Sequence, residues 1–325
     1  MKVLITGIAG FIGFHLAKSL IKHDVEILGV DNVNAYYSTR LKRARLNELG
    51  NGVRFIEMDI ADHDDFIAFV VSEAPDVIVH LAAQAGVRYS IEKPFDYARA
   101  NLLGHLAVLE ACRHNKNLSH LVYASSSSVY GENSISPFTE ADTADQPVSL
   151  YAATKRSDEL MSSSYSHLYG INQIGLRFFT VYGSWGRPDM AYWKFTSKIF
   201  EGAPISVFNN GMMRRDMTHV SDVVAGITAT VLTPPRLSAN ERPHRIYNVG
   251  NNQPEQLLDM IDTIEQLVGR RATKVFAGMQ PGDVTETYAD INSFQTDYNY
   301  NPQTKMQDGL REFIEWFRDW RSHNT

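Results

Sequence analysis

The sequence predicts an α/β protein built on a doubly wound parallel sheet. Two observations carry this reading: short runs rich in Val, Ile and Leu alternate with helical patterns through the first half, and a glycine-rich turn sits at the first strand–helix join. Residues 2–6, 26–31, 53–57, 77–81, 120–125 and 172–177 read as strands. They are short and nearly continuously apolar, as expected of strands covered on both faces. Residues 11–21, 41–49, 64–73, 95–113 and 150–168 read as the intervening helices. Such alternation implies right-handed crossovers and a parallel sheet. After residue 177 the pattern loosens, with helices expected at 192–201, 221–233, 256–268 and 307–320 and strands at 204–208, 245–249 and 273–276. In the last helix Leu310, Phe313, Ile314 and Phe317 share one face.

Composition narrows the function class. At 325 residues the chain is long enough for two domains and needs no covalent staples. The 31 Lys and Arg against 37 Asp and Glu leave a net charge of −6, with no basic run, which argues against nucleic-acid or anionic-membrane binding. The single cysteine, Cys112, excludes an intrachain disulfide or a Cys-based zinc cluster, and the 11 histidines show no paired ligand spacing, so no metal is expected. Residues 3–21 are apolar behind Met1-Lys2, but three glycines, His15 and Lys18 interrupt them and no cleavage site follows; the expected location is cytoplasmic.

Gly7, Gly10 and Gly13 form a G-x-x-G-x-x-G turn between the first strand and the first helix. Glycine permits the tight turn and lets a pyrophosphate approach the helix N-terminus, where Phe11 and Ile12 begin the first turn. Asp31 ends the second strand, where a carboxylate accepts hydrogen bonds from ribose hydroxyls and repels a 2′-phosphate, favouring NAD over NADP. Asp59 and Ile60, after the third strand, are expected at the adenine; a capping role for Asp59 is the bland alternative. Leu81, Ala82 and Ala83 end the fourth strand with small residues suited to a flat cofactor, whereas His80 is read as packing. The expected organisation is an NAD-binding Rossmann domain over 1–177 and a smaller mixed α/β substrate domain over 178–325, with the chain free to cross between them.

Tyr151 and Lys155 stand at i and i+4, one helical turn apart. A free phenol, with a pKa of about 10, is a poor base at neutral pH; a cation beside a phenol favours its anion. On its own Y-x-x-x-K is common by chance. Here it lies downstream of a dinucleotide fold and follows a strand that ends in four serines, Ser125 to Ser128, placing hydroxyls at the C-terminal edge of the sheet. Cys112, on an apolar helix face, is read as a packing residue.

Together the glycine turn, Ser126 and the Tyr151/Lys155 pair resemble the extended short-chain dehydrogenase/reductase superfamily along essentially the whole chain. Within it the sequence most resembles the UDP-glucuronate 4-epimerases. The segments behind this are residues 6–13 (TGIAGFIG), 84–90 (QAGVRYS), 125–131 (SSSSVYG), 178–190 (FFTVYGSWGRPDM) and Arg214-Arg215-Asp216. The resemblance implies an enzyme that oxidises C4 of a UDP-sugar acid and reduces it again from the other face, with NAD regenerated. Tyr151 would be the base, Lys155 its support, and Ser126 or a neighbouring serine the partner of the 4-oxygen.

The serine run separates reactions. Related 4,6-dehydratases carry an Asp-Glu pair at the positions of Ser127 and Ser128, and related decarboxylases carry a glutamate at Ser128. Hydroxyls cannot do that acid–base work at neutral pH, so elimination is disfavoured on chemical grounds. A 4-keto-glucuronate is a β-keto acid and tends to lose carbon dioxide, so its carboxylate must be held out of line with the carbonyl. Ser127, Ser128 and Thr180 are the candidate donors; Thr180 stands where related hexose epimerases commonly have asparagine. By resemblance Arg215 is expected at the diphosphate, Arg187 and Arg88 near the sugar or phosphates, Phe208 at the uracil and Asp283 near the nucleotide ribose. The helices 95–113 and 150–168 are expected to pair across a two-fold axis in a homodimer. The rival readings are a 4-epimerase of neutral UDP-hexoses such as UDP-glucose or UDP-N-acetylglucosamine, a decarboxylase, and a non-catalytic NAD-sensing protein.

Overall fold

The computed structural model describes residues 1–132, 136–235, 242–280 and 282–323. Its first strands are β1 (Lys2–Thr6), β2 (Glu26–Asp31), β3 (Arg54–Glu57), β4 (Val77–His80), β5 (His120–Ser126) and β6 (Gln173–Phe178). With the later strand His244–Val249 they form one parallel sheet, ordered His244–Val249, β6, β5, β4, β1, β2, β3. Strand order reverses between β1 and β4, and this opens a crevice at their C-terminal ends. Alternate residues feed two cores. Val3 and Ile5 join Phe14 and Leu16 of the first helix, α1 (Phe11–Leu20), on one face. Leu4, Leu28, Ile78 and Leu121 join Val108 and Ala111 on the other. Both faces are buried except at the edge strand β3, which is why the inner strands read as apolar runs.

The chain crosses the division expected at 177. Strand His244–Val249 hydrogen-bonds to β6, and helix Val220–Leu232 contributes Val223 and Ile227 to the core under α1. Both segments belong to the large sheet's layers, although their position in the sequence groups them with the second lobe. That lobe holds a sheet around Arg214–His219, which pairs with Thr180–Tyr182, Pro254–Gln256 and Glu286–Thr287. Strand Arg214–His219 was not legible, because RRDMTH offers no apolar run. The lobe's core joins Trp193, Phe195, Ile199, Ile261 and Ile264 to Leu310, Phe313, Ile314 and Phe317 of helix Met306–Ser322. Each such buried side chain is worth roughly 1.5–3 kcal/mol relative to exposure.

The single helix expected over 95–113 is not continuous. Short helices Tyr89–Glu92 and Pro94–Tyr97 lead into a π-helical stretch, Ala98–Leu103, before regular helix resumes at Gly104–His114. The wider turn points Asn101 inward. Its side-chain oxygen accepts from Gln84 N at 2.8 Å, and its amide donates to Gln84 O at 3.1 Å and Thr154 Oγ1 at 2.9 Å. It thereby ties the loop after β4 to the helix that carries Tyr151 and Lys155. Among the described residues no helix is long and apolar enough to cross a membrane.

Candidate active site

A cleft of about 950 Å³ runs along the C-terminal ends of the parallel strands and under the second lobe. Its floor begins at the glycine turn. Gly7 has φ +74°, and a Cβ there would lie 2.7 Å from Ala82 N; a Cβ on Gly13 would lie 2.3 Å from Gly7 O. The turn is therefore closed to side chains, and no side chain caps α1, which starts beyond Gly10 with Phe11, Ile12 and Gly13 on the cleft wall. An uncapped helix N-terminus with close backbone approach fits the pyrophosphate of a dinucleotide.

Asp31 lies at the end of β2, almost buried. Its carboxylate accepts from Ala9 N at 3.1 Å and from Val33 N at 2.8 Å, one on each oxygen, so each keeps a lone pair for a ribose hydroxyl. Burial raises its pKa, opposed by the Lys42 ammonium. Lys42 itself is buried on the cleft wall and donates to Asn34 Oδ1 at 2.9 Å; no pattern in the sequence marked it. Asp59 accepts from Ala61 N at 2.9 Å and lies 3.4 Å from Arg99 Nη2, so it both shapes its turn and lines the cleft beside Ile60. Leu81, Ala82 and Ala83 line the cleft too, with Leu81 and Ala82 against the Gly7 turn. His80 is buried against Thr6 Oγ1 at 2.8 Å, and burial lowers its pKa to about 3; it packs and stays neutral. Cys112 is buried likewise.

Tyr151 and Lys155 stand on helix Leu150–Tyr169, which Ser149 caps by accepting from Ala152 N at 3.1 Å. Both line the cleft. Lys155 Nζ donates to Ala124 O at 2.9 Å and to Asp158 Oδ2 at 3.2 Å. Ser126 ends β5; its Oγ accepts from Ser128 N and meets Ser128 Oγ, both at 3.2 Å. Ser127 and Ser128 follow in a 3₁₀ turn on the cleft wall. Ser125 points away, donating to Glu159 Oε1 at 2.6 Å inside a buried cluster with Arg177. Ser126 pairs in register with Phe178, so Thr180 sits two residues beyond it on the next strand, also lining the cleft.

The arginines reach the cleft already engaged. Arg187 forks onto Asp189 at 3.0 and 2.7 Å, and Tyr36 donates to the same carboxylate at 3.3 Å. The Arg187 guanidinium holds Asp189 below the usual carboxylate range against the opposing effect of burial. Arg88 contacts both Asp283 and Phe208 rather than standing apart: its Nη2 lies 2.8 Å from Asp283 Oδ2 and its guanidinium 4.8 Å from the Phe208 ring centre. This bridge joins the loop after β4 to the second lobe. Arg215 donates to Val284 O at 2.6 Å and Thr285 O at 3.1 Å. Its strand neighbour Asp216 turns inward to accept from the backbone N–H groups of Asn251, Asn252 and Ala289, and burial raises its carboxyl to about 6. Asn101, Asp189 and Asp158 escaped the sequence reading: Gln84 and Thr154, the partners of Asn101, are brought near only by the fold, and the local pairs Asp189 with Arg187 and Asp158 with Lys155 gain meaning only once the fold places the arginine and the lysine on the cleft. Among the described residues no group of His, Cys, Asp and Glu is arranged to hold a metal.

The fold and the cleft define a dinucleotide-binding protein of the extended short-chain dehydrogenase/reductase type. The chain belongs to the NAD dependent epimerase/dehydratase family, which it matches over residues 3–250. It is 47% identical to protein CapI of Staphylococcus aureus, over 98% of this chain and 99% of that protein. It is 41% identical to a probable UDP-glucuronate 4-epimerase of Rhizobium meliloti over the full length of both. Among solved structures it resembles the Bacillus cereus UDP-glucuronic acid 4-epimerase in complex with UDP-glucuronic acid and NAD, with a TM-score of 0.88, 34% identity, and coverage of 98% of this chain and 100% of that one.

Proposed function

We propose that this chain is a UDP-glucuronate 4-epimerase that interconverts UDP-glucuronate and UDP-galacturonate through a 4-keto sugar. The observation that carries the reading is the gathering of three kinds of group in one cleft: the Tyr151/Lys155 pair, the hydroxyls of Ser126, Ser127, Ser128 and Thr180, and the Asp189-tethered Arg187. The full-length likeness to proteins named for this reaction supports it. Gly7, Gly10, Phe11, Ile12 and Gly13 would hold the pyrophosphate of NAD, Asp31 its ribose, Asp59 and Ile60 its adenine, and Leu81, Ala82 and Ala83 would flank it. NAD, when bound, supplies the acceptor and later the donor of the hydride at C4.

The remaining work falls to side chains. Tyr151, as phenolate, takes the proton of the sugar 4-hydroxyl and later returns it to the same oxygen once C4 is reduced again. Lys155 supports the phenolate through its charge. Ser126 donates a hydrogen bond to the forming 4-oxygen. Ser127, Ser128 and Thr180 hold the 6-carboxylate so that the C5–C6 bond stays out of line with the carbonyl π orbital, which suppresses decarboxylation. No carboxyl group stands in the 126–128 turn to drive elimination of water. Arg215, Arg88, Phe208 and Asp283 engage the nucleotide, which requires the Arg88–Asp283 bridge to yield or re-form around it.

Phe95, Leu103, Leu106, Leu160 and Leu168 are exposed on the helices around 95–114 and 150–169, which supports a homodimer joined along these helices. The lone buried cysteine is consistent with a cytoplasmic setting. The test of the reading is product identification by NMR after incubation with UDP-glucuronate, UDP-glucose and UDP-N-acetylglucosamine in turn. UDP-galacturonate is the expected product. UDP-galactose or UDP-N-acetylgalactosamine alone would replace the reading with a neutral-hexose epimerase, and a UDP-pentose with a decarboxylase.

A further inference from the structure

The ammonium of Lys155 is held from behind. A lysine has three N–H donors. Here one meets the carbonyl of Ala124 on β5 at 2.9 Å and another the carboxylate of Asp158, one turn further along the same helix, at 3.2 Å. Both side chains are almost wholly buried, at 3% and 1% exposure. The third donor is left for the cleft that Lys155 and Tyr151 both line. The other oxygen of Asp158, Oδ1, is buried without a hydrogen-bond partner. A buried carboxylate with one oxygen unsatisfied is costly if its only task is to hold the helix.

We propose that Asp158 is a positioning residue for the proton transfer at Tyr151: it aims Lys155 and, through its own charge, sets how much of the lysine's positive field reaches the phenol. This rests on the assignment of Tyr151 as the base made above.

The groups facing this pair leave Asp158 as the one that changes charge near neutral pH. His105 packs against it from helix Gly104–His114, and His80 faces Lys155 from β4; burial pushes both well down, so they stay neutral. Tyr123 on β5 is pushed up and also stays neutral. Glu159, next on the helix, is kept ionised by Arg177, Ser125 and Arg156. Burial raises the Asp158 carboxyl to about 7, with Lys155 opposing. Ionised Asp158 offsets the lysine's charge; protonated Asp158 leaves that charge undivided beside Tyr151.

The test uses the full chain with Asp158→Asn and, as a smaller charge-free side chain, Asp158→Ser. Two quantities are read against pH: turnover of UDP-glucuronate, and the tyrosinate absorbance near 295 nm that Tyr151→Phe removes. Both charge-free variants are expected to move the acid limb of turnover and the tyrosinate midpoint down by about 0.5 to 1 pH unit, with plateau turnover changed less than about tenfold. If either folded variant keeps the wild-type midpoint in both measurements while Tyr151→Phe is inactive, the Asp158 assignment is overturned. If Tyr151→Phe itself keeps near-normal turnover, the assignment of the base fails first and takes this inference with it.

Discussion

The two halves of the cleft are built by different means. The cofactor half is mostly backbone: a glycine turn, an uncapped helix start, and Asp31 holding the N–H groups of Ala9 and Val33. The half under the second lobe is mostly charged side chains held by one another or by carbonyls, with Arg187 on Asp189, Arg88 on Asp283, and Arg215 on three carbonyls. A backbone site is preorganised and intolerant of added atoms. A site of ion pairs can exchange partners when an anionic ligand arrives. On the proposed function, an acidic chain with a net charge of −6 would bind two anions through local geometry against its overall charge.

The sharpest break in this comparison lies at the seam, where the proposed base stands. Tyr151→Phe should lower turnover by about a thousandfold or more while the purified protein keeps its NAD, measured by turnover and by nucleotide released on denaturation. On the cofactor side, Gly13→Ala places a methyl 2.3 Å from Gly7 O, an atom of the backbone that cannot step aside. Co-purified NAD should fall at least tenfold and the melting temperature should drop. On the sugar side, Thr180→Val removes one donor, so NAD content should stay unchanged. KM for UDP-glucuronate should rise by about tenfold or less, and UDP-pentose should increase among the products. Unchanged affinity with no extra decarboxylation would remove Thr180 from the carboxylate's contacts.

The smallest effect concerns the contact between the lobes. His15 on α1 meets Ser184 O at 2.8 Å, and burial lowers its pKa to about 4 from the ordinary 6.5. The folded state therefore binds this proton less readily than the unfolded chain. The stabilisation is full above about pH 6.5 and is lost as pH falls toward 4. Replacing His15 by Gln should shrink the drop in melting temperature between pH 7 and pH 5 by a few degrees, read by differential scanning calorimetry; an identical drop would show that His15 titrates normally.

The same division governs what could be read in the sequence. Strands β1, β2, β4, β5 and β6 were legible because both faces are largely buried, leaving short apolar runs, whereas the half-exposed edge strand β3 was marked only by its central Phe55 and Ile56. The glycine turn was legible because backbone geometry restricts residue type. Strand His244–Val249 was legible as a strand, but its place beside β6 was not, since pairing across some 70 residues leaves no local trace. The π-helical stretch was hidden because Asn101 differs from its helical neighbours only in the partners it finds at Gln84 and Thr154. Arg88, Arg187, Arg215 and Asp283 could be picked out as residues, yet the pairing of Arg88 with Asp283, and the hold of Asp189 on Arg187 and of the 284–285 carbonyls on Arg215, could not. An ion pair between distant segments, such as Arg88 with Asp283, has no spacing to recognise.

The central claim is inversion at C4 with the removed hydrogen returned to the same carbon. UDP-glucuronate carrying deuterium at C4 tests it most directly, with the purified enzyme and no added cofactor, followed by NMR. The account predicts UDP-galacturonate that retains the deuterium at C4, without release of carbon dioxide. Loss of the label to solvent, or a UDP-pentose in place of the epimer, would contradict it.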